Sequence, residues 1–421
     1  MNILVISNLY PPHYVGGYEL HCQTLVEGLR ARGHEVQVLT SDHQVENVPS
    51  SREPQVHRCL KIHGMFGHPW LPIQRLKNQE RYNNRMLREI LRQVKPSVVY
   101  CWNFSGLSKS MLFTLRASGL PTVFCVCDHW VARCAESDVW LSWWNRENPQ
   151  RPHRLARRAL EIMGFRRHYQ AETPTNPVRQ LDFQRIYFCS GALRDFTAAA
   201  GFKVGHGAVV YCPINTERFK GEPKSVTAPM QRLLYVGRLT EDKGVMTALR
   251  AMARLRDKFD GRLSIYGRGE PEYEAQLKAF VEKEKLPVTF AGGAKVEEMP
   301  AIYAAHDALL FTSEWAEPFA LTPLEAMACG LPVIGTTTGG SIELFRHRQN
   351  ALTYQAGQDA ELAQRVVELD RDRGLRLDLA VAGQAEVRAR CAEPVIFDQV
   401  EAYLRDSLEN WQAIPLPDYN G

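Results

Sequence analysis

The chain has 421 residues, which exceeds the size at which one hydrophobic core is usual, so we expect two domains. The formal net charge is only +4 at pH 7, which argues against a protein whose main partner is a nucleic acid. No apolar stretch is long enough to span a membrane, and most of the ten cysteines lie within apolar segments, as is usual in a reducing compartment. We therefore predict a cytoplasmic protein.

The first residues predict the start of a parallel α/β sheet. An apolar run at residues 3–6 is followed by a loop, a helical stretch at about 18–31 and a second strand at 34–40. This order is typical of a βαβ unit with a right-handed crossover. Gly16 and Gly17 precede the helix. They form either a simple turn or a place where a phosphate or an acceptor approaches backbone N–H groups.

Three further apolar runs, at residues 98–101, 122–127 and 186–189, predict more strands of the same sheet. Catalytic groups in open α/β sheets lie beyond the carboxyl ends of strands. Asp128 and His129 follow the second of these runs directly, so both are candidate catalytic residues.

Cysteines and a histidine cluster at the end of the 122–127 run. Cys125, Cys127, His129 and Cys134 suggest a zinc site, but side chains alternate between the faces of a strand, so Cys125 shares its face only with Cys127 and His129. No second closely spaced cysteine pair follows. We therefore favour core cysteines beside a site histidine, and we predict no metal site.

Residues 151–170 form a basic stretch with six arginines and a single glutamate. Leu155, Ala159, Ile162 and Met163 recur there at helical spacing. The favoured interpretation is a solvated helix face. The alternative is docking on the anionic inner face of a membrane or on an anionic acceptor.

The second half begins after a polar, proline-containing segment at residues 222–229, so we place the domain boundary near residue 222. A strand at 232–236 is followed by Gly237, Arg238 and Lys243, and these two cations suit a diphosphate at a strand-to-helix turn. Ion pairing with neighbouring acids is the alternative.

Residues 314–340 predict a loop, a short helix, a strand and a glycine turn. Thr322 is a cap residue with a proline after it and Glu325 three positions later, so we expect the helix to start there and to end at Gly330. Glu317 lies in the preceding loop, so two carboxylates flank N–H groups that can hold an anion. In the plainer interpretation, Glu325 completes a capping box and Glu317 is a solvated acid.

This stretch resembles the E-x7-E signature of the retaining GT-B glycosyltransferases of family 4. The segment from Gly237 to Gly244 and the glycine pair at residues 16–17 also resemble family motifs. The resemblance implies two Rossmann-like, doubly wound parallel-sheet domains that face each other across a cleft. Residues 1–221 would bind the acceptor and residues 222–392 the nucleotide-sugar donor, while residues 393–421 would cross back to the first domain.

The resemblance also assigns roles to residues. Glu317 would contact donor-sugar hydroxyls, Glu325 the ribose, and Arg238 and Lys243 the diphosphate, with Gly267 in a turn near the nucleoside. The backbone between the two glutamates would also meet the diphosphate, at Phe319, Ala320, Leu321 and Thr322. The family usually has glycine at the position of Ala320 and histidine at that of Cys127.

The implied reaction is a retaining transfer of a sugar from a nucleotide-diphosphate donor to a hydroxyl of a glycan, a lipid-linked acceptor or a small molecule. The departing phosphate would help to deprotonate the acceptor, and no metal or other cofactor would be required. Two other functions stay open. One is a sugar-nucleotide epimerase, and the other is a non-catalytic GT-B module that binds a sugar nucleotide or a glycan.

Overall fold

The structure is a computed structural model that describes residues 1–49, 53–147, 149–223 and 228–413. Parts of the predicted linker (224–227) and of the predicted tail (414–421) lie outside the described residues. The chain forms two compact units. The first comprises Met1–Cys189, Leu193–Val210 and Phe397–Gly421, and the second comprises Ser190–Ala192 and Tyr211–Ile396. The main chain therefore enters the second unit before residue 222, the boundary that the sequence suggested.

The first unit contains a seven-stranded parallel sheet with the strand order β3-β2-β1-β4-β5-β6-β7. Its strands are β1 Asn2–Ile6, β2 Glu35–Ser41, β3 Val56–Leu60, β4 Val98–Cys101, β5 Thr122–Val126, β6 Arg185–Phe188 and β7 Ala208–Val209. β4 and β5 are buried along their whole length, as expected for central parallel strands covered on both faces. The strands predicted from apolar runs are all present.

Helices cover this sheet. They are α1 Gly17–Ala31, α2 Ile73–Val94, α3 Ser110–Ala117, α4 Trp130–Ser137, α5 Val139–Asn145, α6 Arg151–Ile162, α7 Phe165–Glu172 and α8 Gly191–Ala199, with a 3-10 turn at Val178–Gln180. Four of them, α4 to α7, lie between the adjacent strands β5 and β6. A crossover between parallel neighbours needs only about a dozen residues, so this segment is much longer than the connection requires.

The second unit repeats the architecture with a six-stranded parallel sheet in the order β10-β9-β8-β11-β12-β13. Its strands are β8 Arg232–Val236, β9 Arg262–Tyr266, β10 Val288–Gly292, β11 Ala308–Phe311, β12 Val333–Thr336 and β13 Leu352–Tyr354. Its helices are α9 Val245–Arg254, α10 Pro271–Lys283, α11 Met299–Ala304, α12 Leu321–Ala328, α13 Asp359–Arg371 and α14 Arg373–Arg390, with 3-10 turns at Glu241–Lys243 and Gly339–Glu343.

Alternation along β8 shows that this sheet is covered on both faces. Leu233 and Tyr235 belong to one hydrophobic core, whereas Leu234 belongs to the other. The strand order reverses between β8 and β11, and ligands of doubly wound sheets bind beyond the carboxyl ends of strands at such a point.

The last helix, α15 Glu393–Glu409, returns the chain to the first unit. The ring of Phe397 fills the space beside Gly28, where an added Cβ would approach it to 2.5 Å. The hydroxyl of Tyr403 donates to the carbonyl of Ile186 at 2.9 Å, and Trp411 Nε1 donates to Gly119 O at 2.9 Å. Among the described residues, no helix is both long enough and apolar enough to cross a membrane.

Candidate functional site

A cavity of about 120 Å³ lies beyond the carboxyl ends of β8 and β11 in the second unit. Seven residues that the sequence singled out line it, from the loop after β8 and from the start of α12. The full lining is Tyr235, Val236, Gly237, Arg238, Lys243, Leu310, Phe311, Thr312, Ser313, Glu317, Ala320, Leu321 and Thr322. The structure therefore brings together residues that are up to 87 positions apart in the chain.

Lys243 and Glu317 form an ion pair in this cavity, with 2.8 Å between Nζ and Oε1. Both side chains are largely buried, and the lysine ammonium lies 5.4 Å from the centre of the Trp315 ring. Glu317 is thus not the solvated loop acid of the plainer interpretation. Trp315 was not recognised in the sequence, because a contact between a loop aromatic and a distant lysine leaves no local pattern.

The backbone explains why Lys243 reaches Glu317. The 3-10 turn that carries the lysine ends at Gly244, which has a φ of +65° and lies against the carbonyl of Thr312. An added Cβ on Gly244 would come within 2.0 Å of that oxygen. The hydroxyl of Thr312 in turn donates to the carbonyl of Lys243 at 2.8 Å. The loops after β8 and β11 are therefore joined at the lysine.

Arg238 is exposed at the same cavity. Its carbonyl accepts a hydrogen bond from the hydroxyl of Tyr235 at 2.9 Å, which fixes the backbone of the turn. In the described part of the chain, no acid forms an ion pair with the Arg238 guanidinium. The alternative that the two cations of this turn pair with Glu241 and Asp242 is therefore not what the structure shows.

Gly237 and Gly267 pack their turns against each other. A Cβ on Gly267 would lie 1.8 Å from the carbonyl oxygen of Gly237, so only glycine allows this approach. The N–H of Gly237 donates to Tyr266 O at 3.0 Å and is thus not available to a ligand. Gly237 lines the cavity, whereas Gly267 lies outside its lining and supports the turn.

Helix α12 begins at Leu321, two residues earlier than predicted, and its extended N-cap residue is Ala320 instead of Thr322. No side chain caps this end, so the predicted cap at Thr322 was wrong, and the capping box of the plainer interpretation is not formed. The carboxylate of Glu325 instead accepts a hydrogen bond from the Tyr303 hydroxyl at 2.7 Å. Glu325 thus binds a side chain of α11 instead of the backbone at the start of its own helix. The spacing of residues in α12 cannot reveal such a partner. Gly330, with a φ of +71°, follows the end of the helix as predicted.

Burial raises the pKa of Glu325 to about 7, although the Tyr303 hydroxyl and the charge of Arg218 lower it. This carboxyl lies outside the lining of the 120 Å³ cavity, on the first turns of the same helix. Its proton occupancy therefore changes near neutral pH. A hydrogen bond from a ligand hydroxyl to this group would strengthen as the pH rises.

Two glycines hold the Glu317 loop in place. The N–H of Gly340 donates to the carbonyl of Glu317 at 2.8 Å, and a Cβ on Gly339 would lie 2.2 Å from the same oxygen. The predicted glycine turn thus allows a close approach of the chain's own backbone. Phe319 does not line the cavity, since its ring stacks on Tyr211 with a centroid distance of 5.0 Å.

In the first unit, the glycine pair is engaged within the protein. The N–H of Gly16 donates to the carboxylate of Glu19 at 2.9 Å, and Glu19 is buried. Gly17 is the first residue of α1. The Gly16 amide, which the sequence suggested for binding a phosphate or an acceptor, thus already has an anionic partner.

Asp128 follows β5 and accepts two hydrogen bonds, from Asn103 Nδ2 at 3.0 Å and from the N–H of Trp130 at 2.8 Å. Burial raises its pKa to about 6, and the nearby charge of Glu19 adds to the rise. His129 points its ring at Phe196, with 4.8 Å between the centroids, and burial lowers its pKa.

The cysteines at the end of β5 have a histidine neighbour that the sequence did not indicate. Cys127 Sγ lies 3.6 Å from Cys125 Sγ and 3.9 Å from the Nδ1 atom of His21 on α1. His21 was missed because it is more than a hundred positions away in the chain.

Known protein families match both halves of the chain. Residues 15–218 match the family described as Glycosyltransferase Family 4, and residues 222–386 match Glycosyl transferases group 1. A glycosyltransferase of Methanocaldococcus jannaschii is 24% identical over 365 residues, which cover 84% of each chain.

Solved structures have the same fold. Sucrose-phosphate synthase from Thermosynechococcus elongatus superposes with a TM-score of 0.70 at 19% identity, and the match covers 96% of this chain and 98% of that one. HepE from Anabaena, in complex with UDP-glucose, superposes with a TM-score of 0.65 at 19% identity over 96% and 99% of the two chains. At these identities the structural similarity establishes the fold alone. The two family matches and the paired parallel sheets together show that the chain belongs to the family 4 glycosyltransferases of the GT-B fold.

Proposed function

We propose that the protein transfers a sugar from a nucleotide-diphosphate donor to an acceptor hydroxyl, with retention of the anomeric configuration and without a bound metal ion. The observation that carries the proposal is the Lys243–Glu317 ion pair in the cavity at the start of α12. It places a cation for a diphosphate beside a carboxylate that accepts hydrogen bonds from sugar hydroxyls. The complex of HepE with UDP-glucose supports a nucleotide sugar as the donor.

The reaction breaks the bond between the anomeric carbon and the β-phosphate oxygen. Negative charge then develops on the diphosphate, and Lys243, Arg238 and the N–H groups at the start of α12 stabilise it. These charges and dipoles are fixed before the reaction, so they need little reorganisation. The acceptor oxygen bonds to the anomeric carbon from the same face, and its proton passes to the departing phosphate oxygen.

Glu317 would orient the donor sugar, and Glu325 would accept hydrogen bonds from the ribose. The acceptor is a hydroxyl of a carbohydrate, a lipid-linked sugar or a small molecule. Asp128 and His129 stay candidates for contact with the acceptor or the donor sugar. Only the protonated fraction of Asp128, with its pKa near 6, is able to donate a proton.

Incubation with a panel of UDP and GDP sugars, with and without candidate acceptors, tests the proposal. We expect nucleotide release that requires an acceptor, a product whose NMR coupling constants show retained configuration, and full activity in EDTA. Release of an isomerised donor would identify an epimerase, and binding without turnover would identify a non-catalytic module. Loss of turnover in EDTA, restored by magnesium or manganese, would contradict the metal-independent mechanism.

A further inference from the structure

None of the residues of helix α6 is buried, and the same holds for the shorter helix α7 that follows it. The apolar residues that recur at helical spacing face solvent: Leu155 is 68% exposed, Ile162 78% and Met163, just after the helix, 60%. The sequence had suggested a solvated helix face, which normally leaves the apolar stripe against the protein. Here the apolar stripe itself is exposed.

Polar contacts attach α6 to the protein by its opposite side. His153 Nε2 lies 2.8 Å from the carbonyl of Trp143, and Arg157 Nη1 donates to the carbonyls of Trp144 and Arg146 at 3.1 and 3.0 Å. At 3.6 residues per turn, Leu155 lies about 200° round the helix from His153. The anchored side and the apolar side are therefore opposed, and the orientation of α6 has a structural cause.

Arginines flank the exposed apolar stripe. Arg166 is neutralised by Glu161 at 2.7 Å and also donates to Asn145. No acid within the described ranges pairs with the remaining exposed arginines of α6 and of the start of α7, which are Arg151, Arg154, Arg158 and Arg167. Three of them, Arg151, Arg154 and Arg158, lie along one edge of the Leu155–Ile162 stripe at helical spacing. The surface thus combines unpaired positive charge with exposed apolar side chains.

We propose that this surface, formed by Arg151, Arg154, Leu155, Arg158, Ile162 and Met163, docks the protein on an anionic lipid bilayer. The arginines bind lipid headgroups, while Leu155, Ile162 and Met163 enter the boundary between headgroups and acyl chains. A soluble polyanion would account for the arginines alone, and a second copy of the chain would have to bring three positive charges against three others. A bilayer with acidic headgroups matches both properties.

The length of the β5–β6 connection supports this assignment. Helices α4 and α5 supply buried residues such as Trp130, Trp140 and Trp144, whereas α6 supplies none, although the chain could return to β6 without it. Exposed apolar groups of this size have no stabilising role in the folded unit. Their exposure is explained by contact with the surface of a binding partner.

Sedimentation of the full chain with vesicles tests the proposal without any donor or acceptor. We expect binding to vesicles of phosphatidylcholine with about a third phosphatidylglycerol, weak binding to phosphatidylcholine alone, and loss of binding at about 1 M salt, where screening acts over about 3 Å. Joint replacement of Arg151, Arg154 and Arg158 by glutamine should lower the partition coefficient about 10²-fold, at about fivefold per cation. Leu155→Gln with Ile162→Gln should lower it about tenfold or more.

Matched substitutions on α14 serve as controls. Leu377 and Val381 are exposed apolar residues of that helix, and Arg388 is an exposed arginine. Their replacement by glutamine should leave vesicle binding unchanged, and none of the variants should alter the melting temperature. Equal binding of wild type and both α6 variants would overturn the proposal. So would a dimer that dissociates on Leu155→Gln with Ile162→Gln in the absence of vesicle binding, or binding to polyphosphate but not to vesicles.

Discussion

The carboxyl edges of the two parallel sheets have the same topology but different polar chemistry. In the second unit, the residues after β8 and β11 converge on one cavity, where Lys243 faces Glu317 and Arg238 has no acidic partner within the described residues. In the first unit, the corresponding groups form hydrogen bonds within the protein. The Gly16 amide donates to Glu19, and Asp128 accepts hydrogen bonds from two protein groups.

This difference shows that a strand-end position is not sufficient for a reactive group. Groups beyond parallel strands can bind a ligand when they line a cavity and at least one charge there, such as that of Arg238, has no acidic partner in the part of the chain that the structure describes. They have a structural role when protein donors satisfy them. We therefore expect the chemistry of transfer to depend mainly on the second unit. The following changes test this comparison, beginning with the largest expected effect.

Glu317→Ala should lower turnover by more than about 10²-fold with little loss of nucleotide affinity, because this carboxylate is proposed to hold the sugar and not the nucleoside. Nucleotide release measures turnover, and calorimetry with the free nucleotide diphosphate measures affinity. Removal of Glu317 also frees Lys243 from its ion pair, so nucleotide affinity should rise slightly if it changes. Wild-type turnover in this variant would remove Glu317 from the proposed site.

Lys243→Ala should lower turnover by about 10²-fold, the scale seen when one preorganised donor to a developing negative charge is lost. Lys283, an exposed lysine on α10, is the matched control, and Lys283→Ala should leave turnover unchanged. Equal turnover in the two variants would mean that the cation of Lys243 serves only to neutralise Glu317.

Gly339→Ala should destabilise the protein by about 1–3 kcal/mol, because a Cβ would meet the Glu317 carbonyl at 2.2 Å and the residue has a φ of +54°. Gly357→Ala separates the two causes, since Gly357 has a φ of +76° and no neighbour closer than 3.8 Å to an added Cβ. Unfolding in urea gives both free energies. An equal loss in the two variants would show that the contact with the Glu317 loop contributes nothing.

Donor affinity should rise with pH through about 7 and become independent of pH in Glu325→Gln. The raised pKa of Glu325 means that the carboxyl is mostly protonated below pH 7 and ionised above it. The gain on ionisation should be about tenfold, the difference between a neutral and a charged hydrogen bond. Calorimetric titrations of the donor over about three pH units, from about pH 5.5 to about pH 8.5, measure this gain in affinity. A flat wild-type profile would place the ribose elsewhere.

The same shift has a consequence for stability. The folded state holds the Glu325 proton more tightly than the unfolded state does, since its pKa rises from 4.5 to about 7. The contribution of this carboxyl to stability therefore decreases as the pH rises through that interval. Glu325→Gln should remove this part of the pH dependence, which unfolding in urea at pH 5 and pH 8 would reveal.

Asp128→Asn should have the smallest effect, with turnover lowered by less than about tenfold, because one amide oxygen still accepts one of the two protein hydrogen bonds. His129→Ala gives a second measure at the same edge, since the ring of His129 packs against Phe196. A loss of turnover in Asp128→Asn as large as that in Lys243→Ala would contradict this comparison. It would show that the first unit contributes as much to the chemistry as the second.

The amino-acid sequence by itself determined the two parallel sheets and most of the cavity in the second unit. Apolar runs follow the strands because a strand buried on both faces needs consecutive apolar residues, and glycines and cations that follow a strand lie at its end by chain connectivity alone. Gly237, Arg238 and Lys243 could therefore be placed from their neighbours in the chain, whereas the role expected for Glu317 came from the family resemblance.

Tertiary structure decided which partner each polar group has. Spacing suggested that Glu325 caps its own helix, but the Tyr303 hydroxyl from α11 takes its carboxylate, and burial then raises its pKa. Spacing also placed an apolar stripe on α6, but only the contacts of His153 and Arg157 with α5 determine that the stripe faces solvent. Periodicity fixes which residues share a face of a helix, whereas the direction of that face depends on contacts between residues distant in the chain or on neighbouring elements, which no local pattern encodes.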